Sequence, residues 1–92
     1  MLLANRAHTV GNRKKYVIDY SQWLNEGVTV SAAVVTSDST TATVDGVTPL
    51  ADRIEFFLNG GVLNENVTLS VRMTNTKTEI KNDTINVFVV AP

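Results

Sequence analysis

The chain has 92 residues, 43% hydrophobic and 18% charged, with a formal net charge of −1 and no cysteine. That length suits one domain, and the missing cysteine excludes disulfide scaffolds, thiolate nucleophiles and thiolate metal sites. No apolar run reaches the ~20 residues of a membrane helix, and Met1-Leu2-Leu3-Ala4-Asn5-Arg6 lacks the charged leader and apolar core of a signal peptide.

Residues 1–13 read as an extended basic arm, because Ala4, Asn5, Thr9, Gly11 and Asn12 are small or turn-forming and no periodicity runs through them. Residues 14–92 read as one β domain. Its first strand, Lys14 to Tyr20, turns Tyr16, Ile18 and Tyr20 to one side. Ser21 can cap a short turn that tucks Trp23 and Leu24 under the sheet, and Asn25-Glu26-Gly27 ends it. A second strand runs from Val28 to Thr36, with Val28, Val30, Ala32 and Val34 on one face. After the Ser37-Asp38-Ser39 turn, Thr41 to Val44 makes a short strand closed by Asp45-Gly46. Pro49 and Asp52 mark a loop, and Arg53 to Leu58 aligns Ile54, Phe56 and Leu58. Asn59-Gly60-Gly61 reads as a hairpin or bulge. The next strand turns Val67, Leu69, Val71 and Met73 inward. Asn75-Thr76-Lys77 turns the chain, and the strand from Asp83 to Ala91 places Ile85, Val87 and Val89 in the core.

Valine (14), threonine (12) and isoleucine (4) supply 30 of the 92 residues. These β-branched side chains are stiff at χ1 and suit pleated sheets. Six or seven short strands about ten residues apart, with no amphipathic helix, predict a sandwich or small barrel. The favoured architecture is an all-β, Ig-like β-sandwich of antiparallel strands behind the arm, with Trp23 as a core anchor.

Little in this inventory points to catalysis. His8 is the single histidine and falls in the arm, where nothing is expected to orient it as a base. Asp38, Asp45 and Asp52 are scattered over turns, where aspartate commonly serves the turn itself. They do not match an EF-hand, although a calcium site in a loop stays open. Gly60-Gly61 lacks the lysine and helix of a phosphate loop. Asn66-Val67-Thr68 and Asn82-Asp83-Thr84 match the glycosylation pattern, as chance allows in so Asn- and Thr-rich a chain. The expectation is a protein that is not an enzyme and uses no cofactor, with no catalytic or metal-binding residues.

Charge points instead to a partner. Residues 1–15 hold Arg6, Arg13, Lys14 and Lys15 and no acid (+4), while the remainder holds four basic and nine acidic residues (−5). The basic segment can be a solvated tail, a weak nucleic-acid footprint, or an arm that orders against a neighbour, above all an acidic copy of the same domain. The last reading is favoured; nucleic acid is disfavoured and no membrane partner is expected. Phe57, Phe88 and Val90 fall on the outward side of their strands, covered by a loop or the arm or else marking an interface. The candidate partner-binding residues are therefore Arg6, Arg13, Lys14, Lys15, Phe57, Phe88 and Val90.

Tyr16-Val-Ile-Asp19-Tyr20-Ser21-Gln-Trp23-Leu24 followed by Gly27-Val-Thr29-Val30-Ser31 resembles the opening of the tailed-phage fiber-tail adaptors. Thr41 to Val44, Phe57-Leu58-Asn59-Gly60-Gly61, Val67 to Val71 with Thr74, and Asp83 to Val87 resemble the later strands of that family, so the likeness covers roughly residues 16–90. Two departures stand out: Val35 and Thr36 occupy a place where a tryptophan is common, and the turn from Lys77 to Asn82 lacks the usual glycine. The resemblance implies a virion structural protein, present in several copies, that gives fibers or neighbouring proteins a mounting surface on the tail or neck. The expected mechanism is arm exchange with edge-strand and face packing between identical or different subunits. A capsid decoration protein is the alternative, and a carbohydrate- or receptor-binding module is disfavoured because Trp23, Tyr16 and Tyr20 all fall at core-like positions.

Overall fold

The structure is a computed structural model that describes the backbone from residue 2 to residue 92 and side chains from residue 4. Its seven strands are β1 (Leu2–Thr9), β2 (Arg13–Asp19), β3 (Val30–Ser37), β4 (Ala42–Pro49), β5 (Arg53–Gly60), β6 (Asn66–Asn75) and β7 (Ile80–Val90). They form two sheets, ordered β1-β7-β6-β3 and β2-β5-β4. The all-β sandwich expected from the alternation is thus borne out. All ladders are antiparallel except the parallel pairing of β1 with β7.

The core lies where the alternation is strictest. Ile54, Phe56 and Leu58 of β5 face Val67, Leu69, Val71 and Met73 of β6 and Val87 and Val89 of β7, all essentially fully buried. Each such side chain contributes roughly 1.5–3 kcal/mol through burial. Tyr16, Ile18 and Tyr20 close the core from the β2 side, as the alternation predicts.

Five local expectations change. Of the residues read as an extended arm, Leu2–Thr9 is instead an edge strand paired with β7, and Val10 N–H donates to Val90 C=O just beyond it; Met1 lies outside the described residues. In β3 the pairing with β6 shifts between Val30 and Ala32. This bulge flips the phase, so Ala33 and Val35 turn inward while Val34 faces out and is 55% exposed. Asp45-Gly46 does not end its strand but forms a second bulge, after which β4 continues to Pro49. Gly46 has φ of 61°, and a Cβ there would sit 3.0 Å from Cδ2 of Phe57. Asn59-Gly60-Gly61 is a crossover from one sheet to the other, not a hairpin, since β5 and β6 lie in different sheets.

Trp23 is the fifth correction. Trp23 N–H and Leu24 N–H both donate to Tyr20 C=O, closing a tight turn whose successive side chains diverge. Leu24 packs against the core, and Trp23 is left 40% exposed with Lys81 Nζ 5.9 Å from its ring.

Candidate docking surfaces

The ladder registers sort the outward side chains of the two sheets, and the sheets differ sharply in charge. On β2-β5-β4 the outward positions are Arg13, Lys15, Val17 and Asp19, then Arg53, Glu55, Phe57 and Asn59, then Thr43, Asp45 and Thr48. Six of these eleven are charged, and most pair across strands. Arg13 meets Asp45 at 3.1 Å, Lys15 meets Glu55 at 3.5 Å, and Arg53 meets Glu55 at 3.4 Å. The Arg13 guanidinium also lies 3.7 Å from the ring centre of Phe57, so this half-buried phenylalanine is covered from within the chain.

The outward face of β1-β7-β6-β3 carries Asn5, Ala7 and Thr9 on β1, and Ile80, Asn82, Thr84, Asn86, Phe88 and Val90 on β7. To these β6 adds Asn66, Thr68, Ser70, Arg72 and Thr74, and β3 adds Ala32, Val34 and Thr36. Of these seventeen positions only Arg72 is charged. Phe88 is 42% exposed, and a shallow groove runs between Val34, Ser70, Arg72 and Thr84. Low charge beside exposed aromatic and β-branched side chains is the composition of an interface centre.

The β1–β2 side of the sandwich holds two further cations, Arg6 and Lys14. Among the described residues, Arg6 and Lys14 form no ion pair, and Arg6 borders a cleft with Ala4, Tyr16, Val17, Ile18, Asp19 and Ile85. Hydrogen bonds from Ser21, its backbone N–H above all, hold the Asp19 carboxyl below the usual range.

His8 follows Ala4 and Arg6 on the inward face of β1. It is 1% exposed, with Nδ1 2.9 Å from the Tyr16 hydroxyl and Nε2 3.0 Å from Asn12 C=O. A carbonyl only accepts, so Nε2 carries the proton and Nδ1 accepts from the Tyr16 O–H. Burial pushes the Tyr16 phenol up, against an opposing pull from Arg6. The histidine expected to lie unoriented in an arm is therefore a latch between the two sheets. Its alternation with Ala4 and Arg6 on one face of β1 was a usable signal, masked by the arginine.

Two further polar knots fix the ends of the sandwich. Buried Asp83 accepts from Lys81 Nζ at 2.8 Å and from the Tyr20 hydroxyl at 3.5 Å. Burial first, and the Asp83 carboxylate second, hold the Tyr20 phenol far above its ordinary value. At the other end Glu65 accepts from Ser39 Oγ at 2.5 Å, Thr41 Oγ1 at 2.9 Å and Val62 N–H at 3.1 Å, which lowers its carboxyl. Among the described residues, no three of His, Cys, Asp and Glu converge as a metal site. The exposure of Trp23 removes one sequence-based argument against a sugar-stacking surface, while Tyr16 and Tyr20 remain buried.

The family profile of the podophage GP4 fiber-tail adaptor protein gp77 matches residues 8–88. The chain belongs to this adaptor family. The match begins at the His8 latch and ends at Phe88, so it takes in β2 to β6 and most of β7 but only the last two residues of β1. No curated protein matches the adaptor. Among solved structures, the M1 domain of titin superposes with a TM-score of 0.56 at 12% identity, covering 96% of the adaptor and 89% of that domain. A 2,6-sialyltransferase from Photobacterium sp. JT-ISH-224 superposes with a TM-score of 0.59 at 10% identity. That match covers the whole adaptor but only 18% of the enzyme chain. At such identities both likenesses concern the fold alone, and the titin domain makes that fold Ig-like. The adaptor is thus a phage structural component by family and an Ig-like sandwich by architecture.

Proposed function

We propose that the adaptor acts without catalysis, in the assembled virion, by mounting a fiber or neighbouring tail protein on the outer face of β1-β7-β6-β3. The observation that carries this reading is the segregation of charge: one charged position among seventeen on that face, against six among eleven on the other. Desolvating a charge costs several kcal/mol unless it is paired well, so a face nearly free of charge is the one that can be covered at low cost. Phe88 and Val90 sit at its β1–β7 end and Val34 at its β3 end, so a partner spanning the face would bury apolar groups at both limits. Arg6, Arg13, Lys14 and Lys15 lie off this face and serve a different contact, developed below. Phe57, already covered by Arg13, adds area to a partner only if that arginine moves.

The test is complementation of particles with Phe88→Glu, whose side chain is outward and whose loss leaves the core intact. Folded protein that no longer enters particles is the expected result. Normal incorporation overturns the assignment of this face. Adaptor located over the whole shell, not at the tail or neck, would mark capsid decoration instead.

A further inference from the structure

The edges of the sandwich carry opposite charge. Residues 1–19, which form β1 and β2, hold Arg6, Arg13, Lys14 and Lys15 against Asp19, a net +3. Residues 20–51, which contain β3 and β4, hold Glu26, Asp38 and Asp45 and no lysine or arginine, a net −3; Asp45 is already paired with Arg13 and Lys15 with Glu55, so Arg6 and Lys14 on one side and Glu26 and Asp38 on the other carry the asymmetry. The sheet orders put these two strand pairs on opposite sides of the molecule.

The same two sides also differ in how their backbones are exposed. An Ig-type sheet commonly carries a fourth strand beside the one equivalent to β2, but here the first strand pairs with β7, and that place stays open. Tyr20 N–H donates to Asp52 C=O and Gly60 N–H to Asn12 C=O, so the even-numbered residues of β2 face β5. The backbone groups of Lys15 and Val17 therefore point outward, and Val17 is 50% exposed. On the opposite side, Asp38 N–H donates to Thr68 C=O, so the groups of Ala33 and Val35 point away from β6. Natural edge strands are blunted by charge, proline or bulges. β4 has Asp45, the Gly46 bulge and Pro49, whereas β3 past its bulge, Ala32 to Ser37, has no charge, proline or glycine.

We propose that copies of the adaptor join head to tail, the β2 edge of one pairing antiparallel with the β3 edge of the next. Matching the outward-pointing groups pairs Val17 with Ala33 of the second copy and Lys15 with its Val35. This register brings Asp38 of the second copy beside Arg13, Lys14 and Lys15. Because each copy keeps one open edge of each kind, the contact is heterologous and generates a ring or a filament, not a closed dimer. The inference deepens the adaptor reading by naming its self-association surface, and its test is made on the isolated protein. Its failure therefore leaves the Phe88 face standing, and the failure of that face leaves it standing in turn.

The chain has no native cysteine, so disulfide capture is clean. Val17→Cys and Ala33→Cys variants, each checked for folding by circular dichroism, are mixed under mild oxidation. A hydrogen-bonded antiparallel pair has Cα atoms about 5.5 Å apart, within disulfide reach. The expected product is the mixed Val17–Ala33 dimer, with little product from either variant alone. Sedimentation of the unmodified protein should show concentration-dependent oligomers that weaken from about 0.05 M to about 0.5 M salt, and Lys14→Glu should weaken them at least about tenfold. Dimers formed by Ala33→Cys alone, absence of the mixed product, or a monomer at every concentration overturns the proposal.

Discussion

Replacing His8 with alanine tests whether the first strand belongs to the fold of its own chain. The imidazole is buried and bridges Tyr16 of the opposite sheet to Asn12 of the β1–β2 turn. Removing it strands two groups, the Tyr16 hydroxyl and the Asn12 carbonyl, and a buried polar group without a partner costs about 1–3 kcal/mol. The Asn12 carbonyl also accepts from Gly60 N–H and so suffers less, which puts the expected loss at about 2–3 kcal/mol. A chain of 92 residues has a total stability of roughly 5–14 kcal/mol, so the loss is a sizeable fraction of it. At about 4–8 °C per kcal/mol for a domain of this size, the melting temperature should drop by roughly 10–20 °C. Thermal unfolding of His8→Ala, Tyr16→Phe and the double variant completes a cycle, in which contacting residues couple by about 0.5–3 kcal/mol. A drop below ~2 °C, with additive single effects, would mean that β1 is not latched through His8, and would refute the strand assignment for the isolated chain.

Other outcomes follow from particular side chains. Thr78 sits at φ of 60°, a left-handed conformation that costs a β-branched residue about 1–2 kcal/mol, so Thr78→Gly should stabilise by roughly 0.5–1 kcal/mol after the entropy of glycine is subtracted; an unchanged or lower urea midpoint refutes this. Trp23 should emit at long wavelength and be quenched readily by acrylamide, and a blue-shifted, protected emission would contradict its exposed position. The Glu65 carboxyl is lowered in the folded chain from a reference of 4.5, so its contribution is present above that pH and is lost as pH falls through the folded value. Glu65→Gln should flatten the acid limb of a stability–pH curve, and an unchanged limb counts against the knot. The Tyr20 phenol is raised above its reference of 10.0, so its contribution is complete below pH 10 and is lost at higher pH as the unfolded chain ionises first. Tyr20→Phe should reduce the alkaline loss of stability, which a urea titration at high pH would read.

What could be read in advance follows from how far each determinant reaches along the chain. β5, β6 and β7 were legible because Ile54, Phe56 and Leu58, or Val67, Leu69, Val71 and Met73, mark one face unambiguously with large side chains. β3 was legible as a strand but not in phase, since Ala32, Ala33, Val34 and Val35 are apolar on both faces and a one-residue bulge leaves no trace in such a run. β1 was lost because its partner lies some eighty positions away and Arg6 interrupts its inward face. The charge asymmetry was visible, yet its meaning was not: Arg13 pairs with Asp45, 32 positions on, and Lys15 with Glu55, 40 positions on. The Trp23 segment pointed correctly to the family while the tryptophan itself was misplaced, because a turn can direct only one of two neighbouring apolar residues inward and Leu24 took that place.

The parallel pairing of β1 with β7 bears on how the adaptor carries load. The N-terminal end of the ladder is Leu2 against Thr84, and the C-terminal end is Thr9 against Val90. Tension drawing the two chain ends apart acts along both strands in opposite directions. It strains every rung of the ladder together instead of peeling one rung at a time. Rupture then requires the bonds of this ladder to fail as a group. An adaptor tethered by those ends would be held through this ladder.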